Sequence, residues 1–306
     1  MLDCVIVGGG PAGLAAAVYL ARNKLSFALV VKEFGGRPLW SADVENYLGF
    51  HLLNGVGLVA KFQEHLKDYA DQFELKQQEL AQKVEKIEGG FRVTTPKGTY
   101  DAQALLIATG TIHRKLKVPG EDEHYGRGLT YCATCDAPLF KDKKVYVVGG
   151  GNSAMDAALF LEKVTTGIVL VTVNKELMGD SIMKAKILGS KNISVLTETR
   201  TTKIVGETFV TGIGLAGPDG VERVEATQGV FVEIGLVPVT QFIDIVAKDK
   251  YGQIIVDKHN KTSVDGVYAA GDVTDVTEKQ IAVAVGEGSK ASLEIISYLQ
   301  SMPYVE

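Results

Sequence analysis

The stretch GGGPAG at residues 8–13 directly follows the apolar run Leu2–Val7 and directly precedes an apolar stretch of helical period at residues 14–22. Phe27–Val31 is a second apolar run, so these segments predict a strand–helix–strand unit of about 30 residues. In such a turn the first glycine permits a tight bend. The middle one lets the backbone approach a diphosphate, and the last lets the helix pack closely on the strand. The sequence therefore predicts a dinucleotide-binding fold near the N-terminus.

Glu33 follows the second apolar run, where its carboxylate can accept hydrogen bonds from an adenosine ribose. The diphosphate of the same nucleotide would rest on the N-terminus of the predicted helix. Backbone N–H groups are unpaired there and the helix dipole is positive. The residues predicted to bind this first dinucleotide are Gly8, Gly10, Pro11, Ala12, Gly13 and Glu33.

A second fingerprint, GGGNSA at residues 149–154, lies in the same kind of context. An apolar run at 145–148 precedes it, and a predicted helix at 153–163 and another apolar run at 168–173 follow it. The sequence therefore predicts a second dinucleotide site, with the candidate binding residues Gly149, Gly151, Asn152, Ser153 and Ala154.

Cys132 and Cys135, in the stretch CATCD, lie between the two fingerprints. A structural zinc site needs four ligands, and the sequence has neither a second C-x-x-C nor an H-x3–5-H pair, so we expect no metal. The third cysteine, Cys4, lies in an apolar strand and is expected to be a small buried hydrophobe. A cysteine pair flanked by two nucleotide folds favours a dithiol that exchanges electrons with a bound flavin.

Charge and hydropathy exclude two classes of partner. The 306 residues carry 32 Lys and Arg against 37 Asp and Glu, a net charge of −5, so we expect neither nucleic-acid nor membrane-surface binding. No apolar run reaches the roughly 18 residues that span a bilayer. The first strand begins within a few residues of Met1, without the charged segment and cleavage site of a secretion signal. We therefore expect a cytoplasmic protein.

The order of predicted elements indicates two nested domains. Short strands at 84–87, 91–95 and 99–100 suggest a β-meander in the first fold, and a separate strand follows at 105–108. The C-terminal segment from residue 254 supplies strands, a turn and a long helix that the first fold lacks. The predicted fold class is α/β, with two Rossmann-like, three-layer nucleotide-binding domains, the second inserted into the first. The predicted boundaries are 1–114 and 241–306 for the outer domain and 115–240 for the inner domain.

Further motifs resemble the low-molecular-weight thioredoxin reductase family and its relative, the flavoprotein subunit of alkyl hydroperoxide reductase. Besides the fingerprints, these motifs lie at residues 35–36, 45–47, 108–110, 131–136 and 270–273, in order over nearly the whole chain. The stretches at 229–238, 279–281 and 286–288 look most like the hydroperoxide reductase branch. The thioredoxin-like N-terminal domains of that branch are expected to be absent, which leaves the bare reductase core.

The resemblance implies FAD on the outer domain and a nicotinamide nucleotide, NADH or NADPH, on the inner one. It implies that Asp272 binds the ribityl chain, and that residues 279–281 approach the pyrimidine end of the flavin at a helix start. The other cofactor-binding residues expected from these motifs and strand ends are Gly36, Asn46, Thr109, Gly110, Gly271, Lys279, Gln280 and Ile281.

The same match implies the roles at the dithiol of a thioredoxin-disulfide reductase-like flavoenzyme. Cys135 would face the flavin, Cys132 would attack the substrate disulfide, and Asp136 would protonate the leaving thiolate. Electrons would pass from NAD(P)H through FAD to the Cys132–Cys135 disulfide, and then to a thioredoxin-like or glutaredoxin-like protein. A homodimer is also implied, as is rotation of the inner domain about hinges near residues 112–118 and 238–242.

The electron donor stays open. NADPH-specific members of the family carry His-Arg-Arg, which holds the 2′-phosphate, where this chain has Thr172, Val173 and Asn174. The NADH-preferring branch carries an acidic residue near this point, which is also missing. The intact second glycine turn favours NADH or weakly held NADPH. The stretch YCATCDAPL at 131–139 resembles a ferredoxin-linked branch and favours ferredoxin or a second flavin. An alternative to an enzyme with any of these donors is a flavin-binding redox sensor without sustained turnover.

Overall fold

The structure, a computed structural model, describes residues 1–40, 44 and 46–302, without the side chains of Trp40, Thr134 and Cys135. Glu45, in one of the family-like motifs, lies outside the described residues. The chain divides into two compact units. The outer unit comprises Met1–Ile112 and Val237–Glu306, and the inner unit comprises His113–Leu236. The inner unit is therefore inserted into the outer one.

The first segment of the outer unit alternates strands and helices and then forms a meander. Its elements are β1 (Leu2–Val7), α1 (Pro11–Arg22), β2 (Phe27–Val31), a 3-10 turn (Arg37–Trp40), α2 (Gly55–Lys67), a 3-10 turn (Ala70–Gln72), β3 (Glu74–Gln77), β4 (Lys83–Ile87), β5 (Gly90–Thr95), β6 (Gly98–Ile107) and β7 (Thr111–His113). Asn54 caps α2, since its side chain accepts a hydrogen bond from the N–H of Gly57 at 2.7 Å.

The inner unit repeats the strand–helix alternation around the cysteine motif. Its elements are α3 (Glu121–His124), β8 (Leu129–Thr130), α4 (Ala133–Asp136), a 3-10 turn (Ala137–Phe140), β9 (Lys144–Val148), α5 (Asn152–Leu161), β10 (Gly167–Val171), α6 (Ser181–Gly189), β11 (Ile193–Leu196), β12 (Arg200–Gly206), β13 (Val210–Ala216), β14 (Glu222–Ala226) and β15 (Gly229–Val232). The strand β16 (Leu236–Pro238) pairs with β7 where the chain passes between the units, and β17 (Val267–Ala269) and α7 (Ile281–Ser301) complete the outer unit.

The outer unit is built in three layers around a mainly parallel sheet. Strands β3, β2, β1 and β6 lie side by side in parallel, and β17 joins the C-terminal half of β6, also in parallel. Helices α1, α2 and α7 cover one face through a core that includes Leu20, Leu66 and Ile295. Antiparallel β4 and β5 extend from the N-terminal half of β6, and Val5 and Phe242 belong to the core on the other face.

The inner unit has the same layered construction. Its parallel sheet has the order β11, β10, β9, β15 and β8. Residues of α4, α5 and α6 pack on one face, and the antiparallel sheet of β12, β13 and β14 supplies Ile204 and Ile213 to the core on the other. The predicted α/β class with two Rossmann-like units is confirmed. Among the described residues, none of the helices combines the length and apolar character needed to cross a membrane.

Candidate functional site

The turn between β1 and α1 leaves space at the helix N-terminus. Gly8 has φ +121°, and a Cβ there would lie 2.2 Å from the carbonyl oxygen of Ala108. A Cβ on Gly13 would lie 2.0 Å from the carbonyl oxygen of Gly8, so a side chain at Gly13 would push α1 away from the turn. A Cβ on Gly10, which precedes α1, would meet nothing within 4 Å. The N–H groups in the first turn of α1 therefore have room for a ligand.

This space belongs to a cavity of about 660 Å³, and the described residues that line it all belong to the outer unit. Cofactor and small-molecule sites usually measure roughly 300–1,000 Å³. The sequence-predicted residues that line it are Gly8, Gly10, Pro11, Ala12, Glu33, Gly36, Asn46, Thr109, Gly110, Gly271, Asp272, Lys279, Gln280 and Ile281. Gly13 does not line the cavity, because it packs inside the turn.

Several lining residues were missed from the sequence because none of them belongs to a recognised motif. The loop after β3 contributes Glu79, and the segment after β6 contributes Thr111. Glu79 is buried and accepts hydrogen bonds from Thr95 Oγ1 at 2.6 Å and Tyr100 Oη at 2.8 Å. Arg37 also lines the cavity, and its place directly after the glycines at 35–36 was a signal that could have found it.

Two buried polar atoms among the lining residues fit a large polar ligand. Thr111 Oγ1 and Arg37 Nε are buried and have no hydrogen-bond partner among the described residues. A buried polar group without a partner costs about 1–3 kcal/mol, so such atoms in a cavity wall favour a ligand that pairs with them. Together with the open helix N-terminus, they fit the diphosphate and hydroxyl groups of FAD.

Another part of the cavity wall is formed by the turn at Gly271 and the start of α7. The N–H of Gly271 donates to Glu287 Oε2 at 2.7 Å, and burial raises the pKa of Glu287. Lys279 Nζ donates to the carbonyl of Thr274 at 2.5 Å, and burial lowers the pKa of Lys279. These contacts fix the two segments that carry the predicted flavin-binding residues.

The second glycine turn has the same backbone form in the inner unit. A Cβ on Gly149 would lie 2.1 Å from the carbonyl oxygen of Glu233, and one on Gly151, which precedes α5, would meet nothing within 4 Å. Asn152 and Ser153 are exposed, whereas Ala154 is buried in the core. Asn152 Oδ1 accepts a hydrogen bond from the N–H of Asp180 at 2.8 Å, so its side chain already holds the loop before α6.

The residues directly after β10, at positions 172–174, carry no charged side chain. Thr172 is buried, and a Cβ on Gly150 would lie 2.2 Å from its Oγ1. The N–H of Asn174 donates to the same hydroxyl oxygen at 3.2 Å. Thr172 therefore packs under the glycine turn, and neither a carboxylate nor a guanidinium projects from residues 172–174.

The dithiol motif lies at the short helix α4. Cys132 is disulfide-bonded, and its N–H donates to Thr130 Oγ1 at 3.1 Å. Thr130 Oγ1 in turn donates to Asp136 Oδ2 at 2.5 Å, which fixes the carboxyl group of Asp136. The side chain of Cys135 lies outside the described part of the structure. Among the described residues, no three His, Cys, Asp or Glu side chains form a set that could hold a metal ion.

A buried carboxylate supports the residue that precedes Cys132. Glu121 is 2% exposed and accepts hydrogen bonds from the N–H groups of Leu116 and Lys117, both at 2.6 Å. Its Oε1 also accepts a hydrogen bond from Tyr131 Oη at 2.7 Å. No sequence signal indicated this role, because a Glu within the polar stretch PGEDE is typical of an exposed loop.

Comparison with known proteins agrees with this geometry. The sequence profile of the pyridine nucleotide-disulphide oxidoreductases matches residues 2–288. The F subunit of alkyl hydroperoxide reductase of Pseudomonas putida is 39% identical over 303 residues. That match covers 97% of this chain and 58% of the relative, so the chain spans a little over half of the relative's length.

Solved thioredoxin reductases share the fold over their whole length. The enzyme of Lactococcus lactis, in its FR conformation, superposes with a TM-score of 0.85 at 30% identity, covering 99% of this chain and 100% of that one. The enzyme of T. acidophilum gives a TM-score of 0.82 at 39% identity, with 98% and 99% covered. The chain therefore belongs to the pyridine nucleotide-disulphide oxidoreductase family and is an oxidoreductase flavoenzyme with the thioredoxin reductase fold.

Proposed function

We propose that this flavoenzyme passes electrons from NAD(P)H through FAD to the Cys132–Cys135 disulfide, and on to a small thioredoxin-like or glutaredoxin-like protein. The observation that carries the proposal is the cavity at the N-terminus of α1, where buried atoms of Arg37 and Thr111 lack partners among the described residues. In this proposal, residues 1–114 and 241–306 form the FAD domain. Residues 115–240 carry the donor site and the cysteine pair.

The cavity residues would each hold one part of the cofactor. Bound FAD would supply a ring that takes up a hydride and returns electrons to a disulfide. The N–H groups at the start of α1 would hold the diphosphate, Glu33 the adenosine ribose, and Asp272 the ribityl chain. Lys279 and Gln280 would hold the far end of the ring, where the N-terminus of α7 favours negative charge.

At the dithiol, Cys132 would act as the interchange thiol. Its thiolate attacks one sulfur of the partner's disulfide, which forms a mixed disulfide and releases the other partner sulfur as a thiolate. Cys135 then attacks Sγ of Cys132, which reforms the Cys132–Cys135 bond and releases the second partner sulfur. Two electrons and two protons pass to the partner. We assign to Asp136 the proton for the first leaving thiolate, with Thr130 holding the carboxyl group in place.

Replacing either motif cysteine tests the exchange route. Cys135→Ser and Cys132→Ser are each expected to bind FAD normally and to lower turnover with a thioredoxin-like disulfide substrate by about 100-fold or more, because a hydroxyl cannot form the exchanged bond. The matched control is Cys4→Ala, since Cys4 is a free thiol buried in β1. Full turnover by Cys135→Ser would contradict the route. A colourless protein that cannot be reconstituted with FAD would contradict the cofactor.

The donor is tested by mixing the flavin-loaded enzyme anaerobically with NADH, NADPH or reduced ferredoxin and following flavin absorbance. We expect NADH to bleach the flavin at least about tenfold faster than NADPH at equal concentration, because residues 172–174 offer no cation for a 2′-phosphate. Bleaching by ferredoxin alone would support the ferredoxin-linked alternative. No bleaching by any donor would support the sensor alternative.

A further inference from the structure

An ion pair crosses the wall of the FAD cavity. Arg37 Nη1 lies 2.8 Å from Asp272 Oδ2, and both residues line the cavity. The side chains are 34% and 17% exposed, so water screens the pair only in part. The two residues are far apart in the sequence, and the pair joins the loop after β2 to the turn before α7.

Both residues are held beside the N-terminus of α1. The N–H of Gly35 donates to the carbonyl of Gly9 at 2.8 Å, and a Cβ on Gly36 would lie 3.7 Å from Cα of Gly10. On the other side, a Cβ on Gly271 would lie 3.1 Å from Cβ of Ala12. The backbone next to Arg37 and the backbone next to Asp272 therefore both lie beside the N-terminus of α1, where the diphosphate of the cofactor would bind.

Asp272 uses only part of the hydrogen-bonding capacity of Arg37. A guanidinium group carries five N–H donors in a fixed plane, and the Asp272 contact engages Nη1. Nε of Arg37 is buried and has no partner among the described residues. A carboxylate that holds one side of the plane orients the remaining donors, so less side-chain entropy is lost when a ligand binds.

We propose that Arg37 binds the diphosphate of FAD, with Asp272 as the residue that positions the guanidinium group. This inference rests on the proposed FAD function. Arg37 adds a fixed positive charge and further N–H donors to those of the helix N-terminus, and planar donors match phosphate oxygens. The binding contribution therefore depends on the diphosphate, which FAD and ADP share and which riboflavin lacks.

The test measures binding to flavin-free protein by titration with FAD, ADP and riboflavin. For Arg37→Gln we expect about 10- to 100-fold weaker binding of FAD and of ADP, since a hydrogen bond to a charged group is lost. Binding of riboflavin should be unchanged. Arg37→Lys keeps the charge without the planar donors and should fall between wild type and Arg37→Gln. Added salt should weaken wild-type binding more than binding to Arg37→Gln.

The control is Arg92→Gln, which removes a second Arg–Asp pair of the outer unit. Arg92 contacts Asp101 through Nε and Nη2, both at 2.7 Å, in the β5–β6 meander outside the cavity. The Arg92→Gln variant should bind FAD with the affinity of wild type. Urea unfolding of each flavin-free variant shows whether the outer unit is folded.

Three outcomes would overturn the inference about Arg37. One is an FAD affinity of folded Arg37→Gln within twofold of wild type. Another is an equal loss for riboflavin, which would place Arg37 at the ribityl chain or the ring. The third is a wild-type protein that binds neither FAD nor ADP, which overturns the FAD function as well. If wild type binds ADP but not FAD, and Arg37→Gln loses ADP, the diphosphate site stands and the flavin function does not.

Discussion

Gly288→Ala is expected to destabilise the outer unit by about 3 kcal/mol or more, at the upper end of overpacking effects. A Cβ on Gly288 would lie 2.0 Å from the carbonyl oxygen of Ala12, and 2.7 and 2.8 Å from its carbonyl carbon and Cα. These are backbone atoms in the first turn of α1, so no side-chain rotation relieves the clash. Helix α7 would have to move away from α1 along their shared core.

The matched control lies two residues earlier on the same helix. A Cβ on Gly286 would meet nothing within 4 Å, so Gly286→Ala is expected to raise stability by about 0.5–1 kcal/mol through helix propensity. Urea unfolding of the flavin-free proteins, followed by circular dichroism, measures both changes. Because Ala12 lines the cavity, Gly288→Ala should also weaken FAD binding. Equal stability of the two variants would mean that the helices separate without cost.

The glycine turns were predictable because the constraint on each is local. A bend at Gly8 and close packing at Gly13 follow from the strand–turn–helix order, and the structure places both glycines against backbone atoms. The role of Gly288 was not predictable, since it depends on where α7 crosses α1. A helical sequence contains no information on which of its glycines meets a neighbouring helix.

The expected division of residues 99–108 into two strands was wrong for a tertiary reason. The strands expected at 99–100 and 105–108 are the single strand β6, Gly98–Ile107. Its N-terminal half pairs in the half-exposed meander, whereas residues 104–107 are buried between parallel strands, so the residue pattern changes within one strand.

The cavity was predictable where a motif marked it and not elsewhere. Fingerprint residues and family-like motifs located much of the lining, including Asp272 and the start of α7. Glu79 was missed because it comes from the loop after β3, and Thr111 because it begins the short strand β7, and neither period nor spacing marks a lining position in either segment. The pairing of Arg37 with Asp272 was missed for a different reason, since it depends on the fold bringing together two segments that are far apart in the sequence.

Glu121→Ala is expected to destabilise the inner unit by about 3 kcal/mol or more, since each donor left without a partner costs about 1–3 kcal/mol. The change removes the acceptor from the N–H groups of Leu116 and Lys117 and from the phenol of Tyr131. Burial and the Glu121 carboxylate raise the pKa of Tyr131, so the phenol remains a hydrogen-bond donor across the neutral range. The control is Glu123→Ala, at an exposed position of the same helix, which should change stability by less than about 0.5 kcal/mol.

Tyr131→Phe separates the support of the motif from the chemistry of Cys132. It removes one hydrogen bond, so we expect a loss of about 1 kcal/mol, well below that of Glu121→Ala. If Glu121 acts by fixing the residue before Cys132, both variants should slow the reaction of the reduced dithiol with a disulfide reagent, with the larger effect for Glu121→Ala. Unfolding by urea and the rate of that reaction measure the two effects separately. Stability of Glu121→Ala within about 0.5 kcal/mol of wild type would show that the carboxylate does not hold the motif. A slowed reaction in Tyr131→Phe at unchanged stability would instead place the phenol itself in the exchange.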